Sequence, residues 1–200
     1  NKRLVAYMQG AVLLIEAACM TPALVIALFQ QDGDAWALGA TMLILIAIGA
    51  PLRFLVRPGE RNLRAREGFL TVALAWIALS CFGALPFVFS GMIPNYIDAL
   101  FESVSGFTTT GATVLENFDN LPQGIMFWRS FTHWIGGMGV LVLTLALLPQ
   151  MTGRTSHLVR AESPGPSLSQ IVPKMGDSAK MLYLIYAALK ALQFAVLLLA

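Results

Sequence analysis

Apolar residues along the chain fall into long runs separated by short polar segments. Five runs can be drawn, at about Leu4–Phe29, Ala35–Val56, Gly68–Met92, Gly124–Leu148 and from Met181 onward. As helices, the first four cover roughly 33–39 Å each, which is enough to cross the hydrocarbon core of a bilayer. The pattern predicts an all-α integral membrane protein.

The segment between the third and fourth runs is too short to cross a membrane. As a helix, Asn95–Phe107 covers only about 20 Å. Pro94 precedes it and Asp98 lies in its first turn, and both residues favour the start of a helix. We expect a re-entrant half-helix at about 95–107, followed by an extended return through 108–113.

The return segment has the sequence TTTGAT, which is rich in oxygen atoms and contains a glycine. Its backbone groups cannot face lipid, so the segment must be buried in protein or line water. Gly111 permits conformations that a side chain would hinder. Carbonyl and threonine hydroxyl oxygens can replace the hydration shell of a cation. The segment therefore predicts a cation filter, and a loop packed in the protein interior without an ion is the alternative.

Composition agrees with a membrane protein that is not an enzyme. Hydrophobic residues make up 57% of the chain and charged residues 12%, the mean hydropathy is +0.71, and soluble domains carry about 25% charged residues. Cys19 and Cys81 lie in apolar runs, which favours buried thiols over a disulfide or a metal site.

The sequence has no evident nucleophile–base pair, phosphate-binding loop or metal-ligand cluster, so we expect no catalysis and no cofactor. The basic run Arg57–Arg66 suits lipid headgroups better than nucleic acid.

The basic residues predict the orientation. With the N-terminus inside, cytoplasmic segments hold eleven of the 13 Lys and Arg residues and the exterior loops hold none, a strong positive-inside signal. The half-helix then enters from outside. Acidic residues near its entrance would either attract cations or simply be solvated in loops; they are Asp32, Asp34, Asp98, Glu102, Glu116 and Asp119.

Three further charged residues lie within apolar runs. Glu16 is expected to have a paired or neutral structural role. Lys190 is expected to be paired or to extend towards the headgroups, with tuning of conduction as the alternative. Arg129 is predicted to brace the pore entrance by pairing with Asp98, Glu102, Glu116 or Asp119. The glycines of 136–139 favour close helix packing over a gating hinge.

Several motifs resemble one family. FESVSGFTTTGATV, FWRSFTHWIGGMGVLVLTLALLP, and RAESPGP followed by SAKMLYLIY are similar to the Trk/Ktr/HKT superfamily of potassium-transport pore subunits, especially its bacterial TrkH-like members. The resemblance implies two leading helices and then four span–pore-helix–span repeats around one pore. Residues 1–67 would be the leading pair with a basic loop, 68–149 the first repeat, 150–180 a cytoplasmic linker, and 181–200 the start of the second repeat. The chain would then be an N-terminal fragment.

The resemblance also implies the function. It suggests potassium uptake across a bacterial inner membrane, with symport as one mode of transport. The protein would be a homodimer with a cytoplasmic N-terminus, and it would bind nucleotide-binding regulatory subunits. Ion-binding filter residues would be Thr109, Thr110, Gly111 and Ala112, flanked by Thr108 and Thr113, with potassium held through Thr109, Thr110 and Gly111. Glycine at 111 suggests potassium, since relatives with serine there lean towards sodium.

Two other functions remain open from the residues alone. One is a sodium- or proton-coupled cation carrier with a broken-helix binding site. The other is a membrane scaffold or a membrane-embedded enzyme. A single repeat supplies about a quarter of a four-sided filter, so residues 1–200 in isolation are expected not to transport ions.

Overall fold

A computed structural model of the chain describes residues 2–31, 33–56, 65–117, 121–139 and 175–199. All regular structure in these residues is helical, which confirms the predicted all-α architecture. The helices are α1 (Lys2–Gln30), α2 (Ala35–Phe54), α3 (Ala65–Gly83), α4 (Leu85–Phe89), α5 (Tyr96–Phe107), α6 (123–139) and α7 (Met175–Leu199).

Three stretches of these helices are long and apolar enough to cross a membrane. They are Lys2–Gln30, Ala35–Phe54 and Glu67–Phe89, and they correspond to the first three predicted runs. The third run is not one uninterrupted helix, because it breaks at Ala84 and ends at Phe89 instead of Met92. Pro86 lacks the N–H that a continuous helix needs there, and Gly91 turns the chain with a φ of +75°.

The later boundaries also differ from the prediction. Helix α6 is described from residue 123 to 139, and the predicted remainder of that span to Leu148 lies outside the described residues. Most of the predicted linker lies outside them too. Helix α7 begins at Met175, before the predicted start at Met181.

The chain divides into two compact units, Asn1–Ile135 and Gly136–Ala200. In the first unit, α1 packs against α2 and α3, while α5 packs against α3 and α4. The largest fully buried side chains of its core include Met20, Leu38, Phe87, Phe107 and Trp128.

Trp128 fixes the first half of α6 to this core. Its indole Nε1–H donates to the carbonyl of Gly83 at 3.0 Å, and its ring meets the ring of Phe107 edge-on at a centroid distance of 6.3 Å. A Cβ at Gly83 would lie only 2.8 Å from the Phe107 ring and 2.9 Å from the hydroxyl of Ser103. The end of α3 therefore approaches α5 at a distance that only glycine allows.

In the second unit, residue 137 lies against the Tyr186 ring, where a Cβ would be 2.4 Å from the hydroxyl oxygen. This contact agrees with close packing as the role of the glycine group. Lys190 is exposed; its ammonium donates to Gln193 at 3.2 Å and lies 5.9 Å from the Tyr186 ring centroid. Within the described residues it forms no ion pair, so the predicted buried pair is not found there.

Gly83→Ala is expected to destabilise the full-length protein by about 1–3 kcal/mol, because the added methyl group overpacks the contact between α3 and α5. Thermal unfolding of the purified protein in detergent measures the effect.

Gly39→Ala in α2 is the matched control, since a Cβ at that position has nothing within 4 Å. This variant should keep or raise the unfolding temperature. Equal effects of the two substitutions would contradict the packing account.

Candidate functional site

The site is built on α5, a helix of 12 residues that is about 18 Å long. It begins after Asn95, whose side-chain oxygen accepts a hydrogen bond from the Ile97 N–H at 3.0 Å. The Tyr96 hydroxyl donates to the Cys81 carbonyl at 3.2 Å and so ties this end to α3. The helix lies within one residue of the predicted 95–107 and is too short to cross a membrane.

The backbone beyond α5 turns its N–H groups back towards the helix. The N–H groups of Thr108, Thr109 and Thr110 donate to the carbonyls of Val104, Gly106 and Ser105 at 2.8, 3.0 and 2.9 Å. In a planar trans peptide, the carbonyl of the preceding residue points the opposite way. The carbonyls of Phe107, Thr108 and Thr109 therefore point away from α5.

Two residues of the return segment have left-handed backbone conformations, Thr109 with a φ of +57° and Gly111 with a φ of +79°. A non-glycine residue in this region is uncommon and costs free energy. At Thr109 the conformation is accompanied by the three hydrogen bonds that close the end of α5. At Gly111 the absence of a side chain makes it accessible.

The hydroxyl groups of the segment are partly engaged. Thr108 Oγ1–H donates to the Val104 carbonyl at 2.8 Å, and Thr108 Oγ1 lies 2.7 Å from Thr110 Oγ1. Since Thr108 has one hydroxyl hydrogen, Thr110 must be the donor of the second bond. The carbonyls of Thr109, Thr110 and Gly111 accept no hydrogen bond from any described residue, and all three residues are exposed.

The far end of the segment is attached to α5 by two side chains. The Ser105 hydroxyl donates to the Ala112 carbonyl at 2.6 Å. The Thr113 hydroxyl and the Val114 N–H both donate to Glu102 Oε2, at 2.9 and 3.0 Å. Ala112, which the sequence places among the ion-binding residues, thus has its carbonyl engaged by the protein.

Glu102 also pairs with Arg129. Its Oε1 accepts from the Arg129 Nε–H, and the two side chains are 1% and 15% exposed. The structure thus contains the predicted ion pair of Arg129 with Glu102, one of the four candidate acids. Glu102 is a buried structural acid and does not belong to an open acidic entrance.

Asp34 is a second acid that does not belong to an open acidic entrance. It is buried, and its Oδ2 accepts from the Ile125 N–H at 3.0 Å in the first turn of α6, where a carboxylate is favourable. Glu116 is exposed and Asp98 half-buried. Asp32 and Asp119 lie outside the described residues.

Glu16 is buried with 1% of its surface exposed. Neither oxygen of its carboxyl group has a hydrogen-bond partner among the described residues, and the buried hydroxyl of Ser103 also has none. The structure therefore gives no support to the paired role that the sequence suggested, and the neutral structural role remains.

Sequence reasoning missed Ser105 and Trp128 as supports of the site. Glu102 and Ser105 are three residues apart, so they lie on one face of a helix. The spacing of these two polar residues, directly before TTTGAT, is the signal that could have identified Ser105.

The TrkH family model, described as a cation transport protein, matches residues 37–200. The chain belongs to the TrkH family. This is a family of membrane transport proteins and not of enzymes, which agrees with the predicted absence of catalysis.

Relatives and a solved structure agree with this assignment. The chain is 44% identical over 181 residues to the Trk system potassium uptake protein TrkH of Escherichia coli K12, covering 89% of this chain and 37% of the relative. It is 39% identical over 189 residues to the TrkH of Halomonas elongata, covering 94% and 39%. The crystal structure of the potassium transporter TrkH from Vibrio parahaemolyticus matches with a TM-score of 0.76 at 34% identity, covering 94% of this chain and 37% of that one. The chain thus spans well under half the length of these proteins.

Glu102→Gln is expected to destabilise the full-length protein by roughly 3–5 kcal/mol, because it removes the negative charge from a largely buried ion pair. The coupling energy between the two residues is obtained from the free energies of unfolding of three variants: Glu102→Gln, Arg129→Gln and the double variant.

Glu116→Gln is the control, because it neutralises an exposed glutamate shortly after the return segment. It should change stability by less than about 0.5 kcal/mol. Additive effects of the Glu102 and Arg129 substitutions would contradict the ion pair as a structural link.

Proposed function

We propose that this chain forms the first part of the potassium pathway of a TrkH-type uptake system in a bacterial cytoplasmic membrane. In this proposal, the carbonyls of Thr109, Thr110 and Gly111 face the ion. The observation that carries it is a set of three carbonyls, on exposed residues, that accept no hydrogen bond from a described residue and follow directly after a helix too short to cross the membrane. The relatives named as potassium uptake proteins supply the identity of the ion.

The electrostatics of the segment suit a cation. The N–H groups of Thr108, Thr109 and Thr110 all donate towards α5, so these three donors are turned away from the proposed ion. The C-terminal end of α5, which carries a partial negative charge, lies beside the same oxygens. Oxygen dipoles of this kind can replace the water that potassium loses on entering a filter.

The attachments of the segment suit a filter more than a flexible loop. Glu102 and Ser105 bind its last residues, and the closing bonds of α5 bind its first residues. Between these attachments, the carbonyls of Thr109, Thr110 and Gly111 accept no hydrogen bond from a described residue. A filter requires oxygens held at fixed positions, and this arrangement supplies them.

The proposal includes the domain arrangement given by the sequence. Residues 68–149 would form one of four repeats, and the rest of the full-length protein would supply the other three sides of the filter. The cytoplasmic N-terminus follows from the distribution of Lys and Arg. The homodimer and the regulatory subunits stay predictions from the family resemblance.

Gly111→Ser in the full-length protein is expected to lower the ratio of potassium to sodium uptake by roughly tenfold. A side chain at a φ of +79° costs about 1–2 kcal/mol, which corresponds to roughly a fivefold to thirtyfold change if the strain is relieved by moving the carbonyl. Uptake of both ions is measured in cells that lack other potassium uptake systems.

Gly91→Ser is a matched control. Gly91 has a φ of +75°, and a Cβ at either glycine has nothing within 4 Å. The two substitutions therefore impose similar backbone strain, but only Gly111 lies in the proposed filter. Unchanged selectivity in Gly111→Ser, or the same change in Gly91→Ser, would contradict the filter assignment.

A further inference from the structure

We propose that Ser105 is a positioning residue that fixes the Gly111 carbonyl and thereby sets the selectivity of the filter. The inference rests on the proposed function and adds a residue outside the TTTGAT segment. Ser105 does not contact the ion in this account. It acts through the two residues that flank Gly111.

Ser105 makes one bond on each side of Gly111. Its backbone carbonyl accepts from the Thr110 N–H at 2.9 Å, and its hydroxyl donates to the Ala112 carbonyl at 2.6 Å. Ser105 is itself 4% exposed and lies in the last turn of α5. One buried residue thus anchors both neighbours of the glycine to the end of a packed helix.

Gly111 has few other restraints. It is exposed in this chain, and among the described residues no atom outside its chain neighbours lies within 4 Å of the position that a Cβ would take. Its left-handed conformation is accessible to glycine without strain, so the residue itself does not select one geometry. Within the described part of the chain, the bonds to Thr110 and Ala112 are the restraints on either side of its carbonyl.

The hydroxyl of Ser105 also limits the set of ion ligands. Because the Ala112 carbonyl accepts a hydrogen bond from Ser105, one of its lone pairs is already used by the protein. The carbonyls of Thr109, Thr110 and Gly111 accept none within the described part of the chain. The hydrogen bond from Ser105 thus distinguishes the Ala112 carbonyl from the three carbonyls before it.

A loosened segment would discriminate less well between potassium and sodium. If the Ala112 attachment is removed, the Gly111 carbonyl gains freedom to approach a smaller ion. Selectivity by the number and position of carbonyl dipoles depends on that freedom being restricted.

Ser103 provides an internal control on the same helix. It is fully buried, as Ser105 nearly is, but its hydroxyl has no hydrogen-bond partner among the described residues. Replacing either serine by alanine removes one buried hydroxyl from α5. Only the change at 105 removes an attachment of the return segment.

The test uses the full-length protein with Ser105→Ala, Ser105→Cys and Ser103→Ala, and measures KM and the maximal rate for potassium and sodium uptake. For Ser105→Ala we expect a three- to tenfold fall in the ratio of potassium to sodium uptake. A change of this size corresponds to about the free energy of one hydrogen bond. Ser105→Cys, with a weaker donor, should fall in between, and Ser103→Ala should match the wild type. If Ser105→Ala does not fold, the cysteine variant carries the test.

An unchanged ratio in folded Ser105→Ala, or an equal fall in Ser103→Ala, would overturn the role of Ser105. These results are distinguishable from failure of the filter itself. If Gly111→Ser alters selectivity and the Ser105 variants do not, only the positioning role is lost. If none of them alters selectivity, the filter assignment fails as well.

Discussion

The carboxylate of Glu102 connects three parts of the first unit: α5, the return segment and α6. One of its oxygens accepts from the Thr113 hydroxyl and the Val114 N–H, and the other accepts from Arg129. A buried acid with these partners is satisfied by charge and by hydrogen bonds at once. The path of the chain after α5 depends on this group, because it fixes the far end of a polar segment that otherwise lies exposed.

The proposed position of this segment within the membrane would explain why such contacts are concentrated here. Polar backbone that leaves a helix within a bilayer needs partners in the protein or in water. The first residues after α5 find partners in the last turn of the helix, and the last ones find them in Glu102 and Ser105. Asp34 plays a similar part at the beginning of α6. The carbonyls between these attachments have no partner among the described residues, and they are the ones we assign to the ion.

The sequence predicts α5 well because its signals are local: Pro94, Asp98 and a length too short to cross a membrane. The polar return through TTTGAT is likewise recognisable from its contrast with the apolar runs on either side. The break at Ala84 is less evident, since it depends on Pro86 within a run that is apolar throughout.

For contacts between distant segments, the sequence predicts a set of possible partners and does not identify the one that forms. Pairing of Arg129 with an acid could be proposed from charge alone, but its contact with Glu102 depends on how α5 and the start of α6 pack. Asp34 appears in the sequence as a loop acid, and only the fold brings it to the first turn of α6. That the Glu16 carboxyl group has no hydrogen-bond partner among the described residues depends in the same way on the buried face of α1.

The central claim is that the carbonyls of Thr109, Thr110 and Gly111 bind the transported ion. Thallium is a heavy stand-in for potassium, so a structure of the full-length protein in thallium would locate the ion directly. The account predicts thallium in contact with these three carbonyls, and none in contact with the carbonyl of Ala112. Thallium bound elsewhere in the membrane region, with residues 108–113 turned away from it, would contradict the account.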